Sequence, residues 1–169
     1  MSDKRFLAKY DGKKGEWLHD AKFFVIAVVI IFLLLRFVIG ISWVDGTSMS
    51  PTLEDGSMVV YTRLGNSYET GDIVSIKMPS GKYFIKRIVA VAGDTVDLKD
   101  GQLYVNGAPE TGDYVYGSTE PEEGFAGYPY TLSEGQVFAL GDNREESTDS
   151  RSFGPMAVSQ IRGKILFAD

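Results

Sequence analysis

Cysteine is absent from this 169-residue chain and histidine nearly so, His19 being the single example. Without cysteine there is no disulfide, no thiolate nucleophile and no Cys-based zinc site, although the compartment stays open. His19 lies in the N-terminal tail, ahead of a long apolar run. The main domain beyond that run therefore has neither a Ser-His-Asp triad nor a histidine metal site, and any hydrolytic chemistry in it needs another base. Cations are also scarce there. After Gly40 the chain has 10 Lys+Arg against 19 Asp+Glu, a formal charge of −9. Nucleic acid is a poor partner for such a surface, and its plainest meaning is a solvated acidic exterior. Repeats and low-complexity tracts are missing too. No stretch after Val44 carries a 3.6-residue apolar period.

What is present begins with the apolar run itself. Phe23–Leu35 reads FFVIAVVIIFLLL, and after Arg36 it continues as FVIGISWV to Val44. Phe23–Val44 is 22 residues with one charge, and a bilayer core takes about 20. A single arginine, Arg36, is tolerable if it lies toward one end of the span, where it can snorkel. Lys4, Arg5, Lys9, Lys13, Lys14 and Lys22 precede the run, against Asp3, Asp11, Glu16 and Asp20. This bias predicts a cell-membrane protein with a single pass, its N-terminus cytoplasmic and everything past Val44 extracytoplasmic. Trp43 suits the outer interface. Gly40-Ile41-Ser42 offers small residues for a cleaved signal peptide. The long, acid-containing segment before the run and the interruption at Arg36 favour an uncleaved anchor. The expected domains are a tail at 1–22, a transmembrane anchor at 23–44 and an extracytoplasmic domain at 45–169.

Beyond the anchor, alternation and turn signals recur. Strands are expected at SMVVYTRL (57–64), GDIVSIKM (71–78), a longer one in KYFIKRIVAVAGD that ends at Gly93, QVFAL (136–140) and GKILFA (163–168). TVDLKDGQLYVNG (95–107) reads as a hairpin turning at Asp100-Gly101, with Asn106-Gly107 closing the next turn. Asp113–Gly135 is irregular, acidic and rich in Gly, Pro and Tyr, an extended surface excursion. The fold class is mainly β, a single N-terminal transmembrane helix followed by a compact β-rich domain.

The strand YFIKRIVAV is chemically the most informative. Side chains alternate across a strand, so Phe84, Lys86, Ile88 and Ala90 are expected on one face. A lysine between an aromatic and a β-branched residue is open to desolvation, which lowers its pKa. Moving it from ~10.4 to near 8 takes roughly 3 kcal/mol, and a lysine so shifted can take a proton from a serine. The same pattern equally fits a stem lying on apolar surface with its amine in water. Arg87, on the opposite face, cannot be neutralised and needs a carboxylate if buried. GDNREESTDSRSFG (141–154) supplies Asp142 and Asp149 with Arg144, Arg151 and Ser147, and singly it is an ordinary polar loop.

Taken together, SMSPTL (48–53), GDIVSI (71–76), FIKRIVAVAGD (84–94) and GDNREESTDSRSFG resemble the type I signal peptidase family. The motifs stand in the family's order directly after a membrane anchor and span most of the chain beyond it, from Val44 to Gly154. Any one of them is weak, but the ordered set is highly specific. A lysine at position 86 resembles the bacterial and organellar branch rather than the branch with histidine there. The single anchor and short outer domain look Gram-positive-like.

The resemblance implies a membrane-bound serine endopeptidase that removes signal peptides from exported preproteins through a Ser/Lys dyad, on a fold shared with self-cleaving repressors. Matched residue by residue, Ser48 is the nucleophile and Lys86 the general base. Ser147 matches the serine that hydrogen-bonds and orients the lysine. Asp149 and Arg151 match a supporting ion pair, and Asp142 and Arg87 a second one. Val44, Met49 and Ile85 fall where the family lines its substrate cleft. The implied partners are signal-peptide-bearing preproteins and the lipid bilayer, with no cofactor and no metal. Some members carry a serine two residues before the nucleophile that helps hold the oxyanion; this chain has Gly46. The Ser48 amide remains as a donor, and another backbone amide or Thr47 is expected as the substitute. Two rival readings are an inactive tethered β module that binds exported chains, and a self-cleaving repressor. The latter would need a DNA-binding domain in place of the apolar run.

Overall fold

A computed structural model of the chain describes residues 3–65 and 67–168, with side-chain surroundings from residue 17 onward except residue 18. Its contacts divide into two units, residues 1–38 and 39–169.

The first unit is helix α1 (Asp3–Leu33), which ends in a π-helical turn, Leu34–Val38. Within it, His19–Val38 is long and apolar enough to cross a membrane, with 20 residues, a mean hydropathy of 2.7 and no buried share. At 1.5 Å per residue, 20 residues reach about 30 Å. The side chains of Lys4, Arg5, Lys9, Lys13 and Lys14, on which the expected orientation rests, lie outside the described residues.

The helical part of the apolar run stops at Val38, short of the expected Val44. Ile39–Trp43 form strand β1, paired antiparallel with β2 (Met58–Thr62). The reason is local: β-branched Ile39 and Ile41 alternate with Gly40 and Ser42, and the Gly40 position lies so close to the Tyr61 ring that a Cβ would collide with it. Apolar content alone does not separate a helix from a buried or half-buried strand.

The remaining strands are β3 (Ile73–Lys77), β4 (Tyr83–Val91), β5 (Thr95–Lys99), β6 (Gln102–Val105), β7 (Ala108–Pro109), β8 (Tyr130–Thr131), β9 (Gln136–Leu140), β10 (Met156–Ala157) and β11 (Ile161–Ala168). Seven form one antiparallel sheet in the order β1-β2-β11-β3-β4-β9-β10, and four form a second, β7-β6-β5-β8. The expected mainly β class is what the chain adopts. The β5–β6 hairpin turns at Asp100-Gly101, both at positive φ, and Asn106-Gly107 repeats that pattern before β7. Asp, Asn and Gly tolerate the left-handed backbone of such turns.

Alternation along β3 sends Val74, Ile76 and nearby Met78 into a cluster with Ile88, Ala139 and Met156. A second cluster joins Val89, Ala90, Leu98, Leu103 and Phe138 between the sheets. Ala90 therefore does not stay on the Lys86–Ile88 face as strict alternation requires. A bulge between Ile88 and Ala90, where β4 pairs with β9, shifts the period and turns both Val89 and Ala90 into the second core. Val44, Met49, Leu53 and Val59 make a third cluster under the loop after β1.

Candidate active site

The loop after β1 is pinned at both ends. Val44 pairs with the segment after it through Val44 N–H to the Ser57 carbonyl and Gly56 N–H to the Val44 carbonyl. Gly46 takes φ +96, and its amide donates to Asp55 Oδ1 at 2.8 Å. Asn143 reaches across from the loop after β9. Its amide donates to the Ser48 carbonyl at 3.1 Å and its side-chain Nδ2 to the Thr47 carbonyl at 3.3 Å. Buried Met49 roots the turn in the third core. Ser48 is thus carried at the loop's crest on a backbone fixed from three sides.

Lys86 meets it there. Lys86 Nζ lies 2.7 Å from Ser48 Oγ. Register explains the placement: Lys86 is paired with Val74 on β3, and Phe84 two residues earlier holds its ring 5.6 Å from the ammonium. Lys86 is 3% exposed. Burial, the largest influence, lowers its pKa to about 8, and the Asp149 carboxylate pulls the other way. Of the two readings open from sequence, the structure selects the desolvated amine over the snorkelled one.

Behind the pair stands a buried polar network. Asp149 accepts from the Gly141 amide at 3.0 Å, from Ser147 Oγ at 2.7 Å and from the Arg151 guanidinium at 2.9 Å on each oxygen. Asp149 also caps the short helix α2 (Ser150–Phe153) by accepting the Arg151 amide. Arg87 grips Asp142 in a bidentate pair at 2.8 and 2.7 Å, with the Tyr114 ring stacked 4.0 Å from the guanidinium. Burial works against the Arg87 charge, yet the bonds to Asp142 outweigh it and leave the pKa raised. Both expected ion pairs are therefore formed.

Ser147 is placed differently from the expectation. Its hydroxyl donates to Asp149, and no hydrogen bond joins it to Lys86 among the described residues. The carboxylate is a strong acceptor and takes the Ser147 proton, while the hydrogen bond of the Lys86 amine goes to Ser48.

An open cleft of about 580 Å³ runs past the pair. Val44, Met49 and Ile85, the three expected lining residues, all border it, along with Ser75, Phe84 and Glu146. One wall is the first half of β4. Residues 83–87 pair with β3 on one side, but pairing with β9 begins only at Arg87. The other edge of Tyr83–Lys86 thus has no strand partner among the described residues, and it lines the same cleft as the segment from Ser42 to Ser48. The Ser48 amide donates to no other backbone group among the described residues. Among the described residues no cluster of three or more metal-ligating side chains occurs.

Sequence reasoning passed over Gly141 and Asn143. A Cβ at Gly141 would strike both the Ser48 carbonyl and the Ser147 hydroxyl, so only glycine lets these two segments meet. It also missed the role of the 113–135 excursion. Glu122 pairs with Arg151 at 3.1 Å and contacts the Ser152 hydroxyl, which closes the network from outside. Nothing in local composition marks such long-range partners.

Comparison with known proteins gives the family. The model of the family described as "signal peptidase, peptidase S26" matches residues 16–168. Signal peptidase IB of Staphylococcus aureus strain N315 is 32% identical over 169 residues, covering 90% of this chain and 87% of its own. Signal peptidase I of Bacillus licheniformis is 36% identical over 171 residues, covering 94% and 91%. The crystal structure of a signal peptidase I from Enterococcus faecalis V583 superposes with a TM-score of 0.50 at 30% identity, covering 60% of this chain and 97% of that one. Because the match runs from within the N-terminal helix to the last strand and the relatives align over nearly the whole length, the chain belongs to the signal peptidase family, peptidase S26, and is a serine endopeptidase of signal-peptide removal.

Proposed function

We propose that Ser48 and Lys86 are the catalytic dyad and that cleavage proceeds through an acyl-enzyme on Ser48. The observation that carries this is the 2.7 Å contact between a serine hydroxyl and a buried lysine whose pKa lies at about 8. An amine near neutrality accepts a proton readily, and the donor is already within hydrogen-bond reach.

The preprotein's segment ahead of the cut lies extended in the cleft and adds as a strand to the open edge of Tyr83–Lys86. Small side chains one and three residues before the cut, as in Ala-x-Ala, enter the wall formed by Val44, Met49 and Ile85. Ser48 Oγ attacks the scissile carbonyl as its proton passes to Lys86. The oxyanion takes the Ser48 N–H, with Thr47 or another amide as second donor in place of the serine that Gly46 lacks. Lys86 returns its proton to the leaving amine, and the acyl-enzyme remains. Lys86 then deprotonates a water, which releases the acid and restores Ser48.

Ser147, Asp149 and Arg151 act behind the lysine as positioning residues, while Arg87 and Asp142 hold the loop after β9 against β4. His19–Val38 spans the membrane, residues ahead of it are cytoplasmic, and the domain from Asp45 onward is extracytoplasmic, where signal-peptide-bearing preproteins emerge. The test is cleavage of a preprotein by purified full-length wild type, Ser48→Ala and Lys86→Ala. Wild type is expected to process it, and both variants to lose at least a thousandfold. Undiminished processing by either variant overturns the dyad.

A further inference from the structure

The cleft wall holds a polar group that the mechanism leaves unused. Ser75 sits in the middle of β3, directly opposite Ile85 on β4, and residues opposite one another in an antiparallel pair share a face. That face also carries Ile73, which packs with Ile85 against Val44 and Met49. Ser75 is 6% exposed, and what exposure it has opens into the cleft that Ser48 and Lys86 border. Its hydroxyl makes no hydrogen bond to any described residue, in contrast to two other buried serines, Ser147 and Ser150.

A hydroxyl in apolar surroundings with no protein partner is satisfied only from the cleft side. Water can serve while the cleft is open. When a peptide fills it, a methyl or isopropyl group against Ser75 expels that water and leaves the hydroxyl unpaired. A side chain that itself carries a hydroxyl restores the bond. Sites built to hydrogen-bond a substrate group reject its apolar isostere far more strongly than apolar pockets reject an added methylene.

We infer that Ser75 is a specificity-determining residue that makes the cleft favour a small hydroxylated side chain, serine or threonine, over its apolar isostere at one of the two small-residue positions before the cut. The inference rests on the substrate placement proposed above.

The experiment uses full-length enzyme in detergent and four peptides built on an Ala-x-Ala cleavage sequence. Threonine or valine, equal in shape, replaces the alanine either one or three residues before the cut. For each position the ratio of kcat/KM for threonine to that for valine is measured with wild type, Ser75→Ala and Ser75→Thr. At one position the wild-type ratio is expected to exceed one clearly, to fall about tenfold in Ser75→Ala and to be kept in Ser75→Thr. Wild-type ratios at or below one at both positions overturn the inference, and need no variant to fold. Equal ratios in wild type and Ser75→Ala overturn it as well. Failure of wild type to cleave the parent Ala-x-Ala peptide would instead sink the proposed function.

Discussion

Lys86 Nζ and Ser48 Oγ lie 2.7 Å apart although they are 38 positions apart in the chain. The strand that carries the lysine and the loop that carries the serine meet through Met49 and Ile85 in the third core, and the loop after β9 bonds the serine loop from the other side. Four measurements follow from how that contact is built.

The first concerns pH. With the Lys86 pKa at about 8 in the free enzyme, the neutral amine is the working form. The kcat/KM profile should rise with pH along a single-proton limb and level off above about 8, each unit below costing tenfold. At pH 6 activity should be about a hundredth of the plateau. A limb centred below 6 would exclude this lysine as the base.

Stability carries the same signature with a definite sign. Lys86 is held below its ordinary value of 10.5, so the folded state resists its charge. Below pH 8 the lysine is charged in both states and the burial penalty is fully present. Between 8 and 10.5 the unfolded chain binds more protons and stability rises with pH. Lys86→Met should therefore be inactive yet more stable than wild type at pH 7 by about 3 kcal/mol. That gain should vanish by pH 10.5 in thermal or denaturant unfolding. Lower stability of the variant at pH 7 would contradict the desolvation account.

Removing one partner of a buried ion pair is costly in a way that removing both is not. Arg87 and Asp142 are 11% and 0% exposed at the side chain. Asp142→Asn should lower stability by about 3–5 kcal/mol, because the guanidinium stays buried without its counter-charge. The double variant Arg87→Met/Asp142→Leu should recover most of that loss. Unfolding midpoints of the three proteins check it, and an innocuous Asp142→Asn would refute it.

Gly141 offers a way to move the nucleophile without touching it. A Cβ there collides with the Ser48 carbonyl and the Ser147 hydroxyl. Gly141→Ala should lower kcat about a hundredfold by displacing the reacting groups, with a smaller effect on KM. Near wild-type turnover would show that the two segments can separate at no catalytic cost.

Much of this was legible along the chain because it depends on near neighbours. The strands from β2 to β6 and the Asp100-Gly101 and Asn106-Gly107 turns follow from period-2 alternation and from residues that tolerate positive φ. The helix end did not. Ile39–Trp43 continues the apolar run with Gly40 and Ser42 interspersed, and pairing with Met58–Thr62 turns that alternation into a strand. Alternation likewise failed at Ala90, because a bulge belongs to two strands and is invisible in one.

The site divides along the same line. Sequence determined that a hydrolase here has no histidine or cysteine to use, that a lysine stands between Phe84 and Ile88, and that the serine and acidic motifs come in a set order. Tertiary structure alone decided that Lys86 is buried rather than snorkelled, that Ser147 gives its proton to Asp149, and that the acidic excursion returns Glu122 to Arg151. Desolvation and hydrogen-bond choice depend on which distant groups surround an atom. Residue order fixes the chemistry available, and packing fixes the protonation state and the partner.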